Sequence, residues 1–184
     1  YANSHFYGLT YSLNYKTETL DFILGGAANR HEGRHFGETI WNRFAGSTEI
    51  RDIYYDRPGD KKDINIFGKA TYKLSDKFDV YLDLQQRRVT YKAEVKESPE
   101  VNETYNFFNP KAGLSYNANE ENNLYFSYAK AHKEPGRGDF EKIESVADFP
   151  RPEALNDFEL GWRHTSNSVK ISSNVYYMKY IDQL

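Results

Sequence analysis

The chain has 184 residues, a formal net charge of −3 and a pI near 6.0, so it holds about one core, and no global basic field points to nucleic acid. It has no cysteine, which excludes a disulfide framework and any Cys-ligated metal, and no apolar run of 18 residues, which excludes a transmembrane helix. Mean hydropathy is −0.83 although 16% of the residues are aromatic; disordered chains are poor in aromatics, so this pairing suits long strands with one wet and one apolar face.

Alternation with period two runs through the chain. In residues 6–16, Tyr7, Leu9, Tyr11, Leu13 and Tyr15 share one face and Gly8, Thr10, Ser12, Asn14 and Lys16 the other. A polar turn at 16–19 leads to a weaker strand over 19–31. That strand ends on His31-Glu32-Gly33-Arg34-His35, which matches H-E-x-x-H. A catalytic zinc site needs this string on a helix, so that both histidines share one face. Gly25, Gly26, Gly33 and Gly37 crowd the window, each costing about 1 kcal/mol in a helix. Glu38 and Trp41 stand where an extended zincin motif has Gly and His. The expectation is a strand end entering a long connection, with His31 and His35 as candidate ligand contacts and a zinc peptidase as a remote alternative.

That connection, 32–62, carries Phe36, Trp41, Phe44, Tyr54 and Tyr55. They either stack on a bound chelate, porphyrin-like ring or sugar or pack the connection on itself. Strands follow at 63–74, 79–88, 105–117, 122–132, 155–165 and 168–180, with short polar turns at 75–77, 117–122 and 165–168 and long connections at 93–104 and 133–154. Pro110 removes a ladder donor and reads as a bulge or a ragged strand start. Arg137-Gly138-Asp139 spells an adhesion tripeptide, but three residues are weak evidence, and Gly136 and Gly138 suggest a turn through positive φ. Asp157, Glu159 and Arg163 share one strand face and read as a charged network in a watery lumen. No Walker loop, dinucleotide fingerprint or G-x-S-x-G elbow is present, so neither a catalytic residue nor a cofactor is expected.

Eight strands of about ten residues, joined by turns short at one end and long at the other, fit a transmembrane barrel better than a soluble sandwich. A soluble sheet, or a small complete barrel acting as a binding or adhesion module, stays open at this point. The run Asn106-Phe107-Phe108-Asn109-Pro110-Lys111-Ala112-Gly113-Leu114-Ser115-Tyr116, then Leu124-Tyr125-Phe126-Ser127-Tyr128-Ala129, resembles TonB-dependent outer-membrane receptors. So do Glu134-Pro135-x-Arg137 into Asp139-Phe140, the run Arg151-Pro152-Glu153-x-Leu155-x-Asp157-x-Glu159-Leu160-Gly161, and Tyr176-Tyr177-Met178. Phe6-Tyr7-Gly8 and His35-Phe36-Gly37 extend the likeness over the whole chain, nearest to receptors of the Bacteroides group.

The resemblance implies an all-β, antiparallel up-and-down meander that is part of a 22-stranded barrel in the Gram-negative outer membrane. Its partners would be outer-membrane lipid, a plug domain of the same parent chain, TonB through that plug, and a transported small ligand. Such receptors take up scarce ligands, commonly iron chelates (siderophores) or cobalamin and sometimes glycans. Residues 1–184 are expected to be a partial barrel domain, lacking the plug and the C-terminal strands. Asn109, Pro110, Gly113, Glu134, Pro135, Pro152, Glu153, Glu159 and Gly161 would be structural; His31, His35, Trp41, Tyr54, Tyr55, Arg137 and Asp139 are the candidate ligand contacts.

Overall fold

The structure, a computed structural model, describes residues 1–43 and 49–184. Eight strands form one antiparallel sheet in strict chain order: β1 (Ala2–Lys16), β2 (Leu20–Glu38), β3 (Ile53–Lys73), β4 (Phe78–Ala93), β5 (Val101–Asn117), β6 (Asn122–Lys133), β7 (Glu153–Thr165) and β8 (Lys170–Ile181). The short turns between them are closed locally. Thr17 accepts from the amides of Thr19 and Leu20, Ser75 from Lys77 and Phe78, and Asn119 from Glu121 and Asn122. These are the reversals that Ser, Thr and Asn favour.

Directly opposed residues of an antiparallel pair share a face, so the register carries one apolar row across the sheet. Leu9 stands opposite Ala28, and Ala28 opposite Ile64. Lower down, Leu82 meets Ala112, Leu114 meets Phe126, and Phe126 meets Leu160. No second layer covers this row among the described residues: Leu9 is 72% exposed, Leu13 65% and Val175 73%. A soluble sandwich buries that face; a barrel wall turns it to lipid. Tyr7 to Tyr15 spans about 27 Å along β1 at ~3.4 Å per residue, a rise of about 19–22 Å at the usual strand tilt of ~35–45°, which is most of the ~25 Å apolar band of an outer-membrane barrel.

Two strands run well past that band. β2 and β3 remain paired from Leu20↔Tyr72 to Glu38↔Ile53, so the expected connection 32–62 is strand over most of its length. His31 lies on β2 as expected, and His35, Phe36, Tyr54 and Tyr55 lie on strands rather than in a loop. The reason is local: Arg30–Asp60 and Arg34–Asp56 bridge β2 and β3 at 2.8 and 2.5 Å, which makes a charged segment compatible with a ladder. Phe44 lies outside the described residues.

Pro110 produces no bulge, and the β4–β5 register is continuous through Leu84↔Pro110. The Asn117 amide bonds toward β4, and amide direction alternates along a strand, so the donor missing at Pro110 would have pointed to β6. Pairing with β6 starts only at Lys111↔Ala129. The proline therefore costs no ladder bond.

Candidate functional site

The inner face carries the residues of opposite parity. In its short-turn half it is a polar wall. Tyr81 donates to Asp83 at 3.0 Å, and Lys69 reaches the same carboxylate at 3.6 Å. Glu159 accepts from the Tyr125 hydroxyl and from Asn174, both at 2.6 Å, while the Arg163 guanidinium lies 4.3 Å above the Tyr125 ring. A cavity of about 460 Å³ opens here between Tyr81, Lys111, Tyr125 and Glu159. Gly161 leaves room for the Tyr125 ring, which a Cβ there would meet at 2.3 Å.

In the long-loop half, the segment between β6 and β7 folds inward as a strap. Pro135 and Phe140 are fully buried. Phe140 packs with Tyr91, Ala93, Val95 and Val101, and Phe149 closes on it edge-on at 5.1 Å. Glu134 accepts from Lys61 and makes two bonds with Arg87, at 2.9 and 3.1 Å; Arg87 also holds Asp63 at 2.6 Å. Burial pushes the Glu134 carboxyl up, but bonds from Lys61, its own amide and Arg87 outweigh it and hold the group below the usual carboxylate range. Arg137 donates to the carbonyls of Glu94, Arg57 and Pro58 at 2.8, 3.3 and 3.1 Å. The strap is thereby tied to the far ends of β3 and β4.

This arrangement redefines the adhesion tripeptide. Arg137–Phe140 forms a 3-10 turn, and Asp139 accepts from the Gly136 amide at 2.7 Å. Arg137 is spent on carbonyls rather than displayed. The positive φ expected of Gly136 and Gly138 is absent: Gly136 has φ −88°, and no described glycine is positive. In this connection Lys142, at 60°, makes the left-handed step instead.

Between strap and wall lies a second cavity of about 270 Å³, lined by His31, His35, Lys61, Tyr91 and Arg137 over a floor of Gly33 and Gly59. The fold thus brings together three of the candidate contacts: His31, His35 and Arg137. Asp139 stays in the strap's own turn. Trp41 is 72% exposed and Tyr54 69%; neither lines this cavity. Tyr55 packs edge-on against Tyr54 at 5.1 Å, with Arg57 4.8 Å above its ring.

The zinc geometry is dismantled by the same strand. His31 and His35 point inward but stand about 13 Å apart along the backbone at ~3.3 Å per residue. Glu32 points outward and pairs with Arg30 at 2.8 Å. No cluster of three His, Asp or Glu residues able to hold a metal occurs among the described residues.

The structural set is placed as well. Asn109 donates to Gln85 at 3.0 Å and bonds the His132 ring at 2.8 Å, while Gly113 keeps Phe126 and Ser127 close. Glu153 accepts from the Leu184 amide at 3.1 Å, and Pro152 immediately precedes β7. Sequence reasoning missed Lys61, Asp63, Arg87 and Tyr91. Their one visible signal was inward parity on strands otherwise polar on that side.

The family model for TonB-dependent receptor-like β-barrels matches residues 1–184. No curated protein sequence matches the chain. Among solved structures, the copper transporter OprC superposes with a TM-score of 0.79 at 14% identity, covering 97% of this chain and 30% of that one. The siderophore receptor PiuA from Acinetobacter baumannii gives 0.67 at 12% identity, covering 95% and 32%. The ferric-catecholate import receptor Fiu from E. coli K12 gives 0.65 at 13%, covering 98% and 31%. The chain spans about a third of the length of these structures, and at such identities the likeness is one of fold. With the family model covering every residue, the chain belongs to the TonB-dependent receptor β-barrel family of the Gram-negative outer membrane, a family of transport receptors and not of enzymes.

Proposed function

We propose that these eight strands are a contiguous part of a 22-stranded receptor barrel that takes up a scarce ligand, an iron chelate or cobalamin ahead of a glycan. The observation that carries the choice is the cavity of His31, His35, Lys61 and Tyr91 on the inner face near the long-loop end. It presents nitrogen and hydroxyl donors with a cationic bias, which complements the oxygen-rich, often anionic surface of a ferric chelate. PiuA and Fiu carry siderophore and ferric-catecholate names, which supports the same class at the level of fold. The polar wall around Tyr81, Tyr125 and Glu159 is where a plug domain of the same parent chain would pack, coupling the barrel to TonB. The outward row would meet lipid, and edges β1 and β8 would continue into neighbouring strands of the barrel.

The test is growth of a strain lacking the full gene, complemented with the complete receptor, on a ferric catecholate, a ferric hydroxamate, cobalamin or an oligosaccharide as limiting nutrient. Growth restored on one iron chelate, and lost with His31→Ala/His35→Ala at normal receptor abundance, is the expected outcome. Full uptake by the double variant removes the histidines from the ligand site.

A further inference from the structure

The outward face changes character where the apolar row ends toward the long loops. Arg30, Lys62, Arg88 and Lys92 all project from this side, by parity with Tyr7, Ile64 and Ile66. The carboxylates among them are Glu32 and Asp60, and both are engaged by Arg30 at 2.8 Å. Neither Lys62 nor Lys92 bridges to these carboxylates among the described residues. Among the described residues, Lys62, Arg88 and Lys92 therefore keep their donors for something else.

Their register is specific. Lys62 stands opposite Thr90, while Arg88 opposes Ile64 and Lys92 opposes Asp60. Arg88 and Lys92 are thus both diagonal to Lys62, at the roughly 7–8 Å spacing of diagonal neighbours. That spacing leaves room for one phosphate between flanking cations, with the Thr90 hydroxyl beside it.

Directly below is a groove of about 330 Å³ on the same outward face, lined by Leu9, Tyr11, Ala28, Ile64 and Ile66, with Arg88 at its head. It exists because Ala28 and Gly26 stand opposite Ile64 and Ile66, leaving a depression between large side chains.

We infer that this face holds one phosphorylated lipid of the outer leaflet, an acyl chain in the groove and its phosphate among Lys62, Arg88 and Lys92. Charge complementarity selects this occupant. A second protein would meet four cations at the rim of a lipid-facing strip, whereas an anionic headgroup on an apolar chain satisfies rim and groove together. The inference rests on the barrel reading above, which places this strip at the membrane surface.

The test uses the complete receptor in phosphatidylcholine nanodiscs doped with a bisphosphorylated lipid A or with its dephosphorylated form, lipid retention being read by native mass spectrometry. Retention of the phosphorylated form is expected to weaken about a hundredfold in Lys62→Gln/Arg88→Gln/Lys92→Gln. It is expected to survive in Lys62→Arg/Lys92→Arg, and ligand uptake should be unchanged in both variants. Equal retention by the triple Gln variant, or equal retention of the dephosphorylated lipid by wild type, overturns the site while leaving the barrel intact. Failure of the wild-type receptor to enter the bilayer overturns the barrel reading itself.

Discussion

Replacing Glu134 with glutamine should free the strap without unfolding the sheet. The side chain is 6% exposed and accepts from Lys61 and Arg87, which are 34% and 22% exposed. Stripping one partner from a fully buried ion pair costs about 3–5 kcal/mol. Here Lys61 can return to water and Arg87 keeps Asp63 at 2.6 Å, so a cost of about 2 kcal/mol is more reasonable. That corresponds to roughly a thirtyfold rise in local opening. Hydrogen exchange on the complete receptor reads it directly at the amides of Gly136, Asp139, Glu141 and Lys142, which bond to the Asp139 carboxylate and to the carbonyls of Gly136, Gly138 and Lys96 respectively. The amides of β2 and β3 serve as internal control. Unchanged protection of the strap in Glu134→Gln would show that Phe140 and Arg137 alone hold it, and the electrostatic argument would fail.

Acid should reproduce the same release. The Glu134 carboxyl is lowered in the folded state, so its contribution is complete above the ordinary carboxylate range, near 4.3, and is lost as pH falls through the lower folded value. Strap protection, corrected for intrinsic exchange, is expected to fall below about pH 4 in wild type and to be flat there in Glu134→Gln. Leu82→Arg, on the outward row, should destabilise the barrel by about 2–4 kcal/mol in lipid, measured by denaturant unfolding in phosphatidylcholine vesicles; a neutral result contradicts a lipid-facing Leu82. Gly161→Ala forces the Tyr125 ring away from a Cβ it would meet at 2.3 Å and should cost about 1–3 kcal/mol, with a lowered Tm and loss of the Tyr125–Glu159 bond. An unchanged Tm would mean the ring swings aside freely.

Much of this protein was readable in one dimension. Tyr7 through Tyr15 on β1 and Ile64 through Tyr72 on β3 alternate because a barrel wall has water on one side and lipid on the other. That demand is written residue by residue with period two. The turns at Thr17, Ser75 and Asn119 were legible for the same reason, since their hydrogen bonds close within three residues.

The ends of the long strands were not legible. β2 and β3 continue to Glu38 and from Ile53 because Arg30, Arg34, Asp56 and Asp60 find one another across strands, and a charged stretch reads as loop until its partner is known. The motif at His31–His35 shows the same limit from the other side. Its five letters suit zinc on a helix, and only the strand separates the histidines and sends Glu32 to the opposite face. Glu134 and Pro135 were expected to be structural, but what they hold was hidden: Glu134 meets Arg87 47 positions away, and Arg137 reaches carbonyls about 80 positions away. Local pattern determined which face of each strand is wet. Only the pairing of distant strands decided where the sheet ends, which loop folds inward, and which side chains line the cavity beneath it, because those contacts join residues whose neighbours in sequence carry no trace of one another.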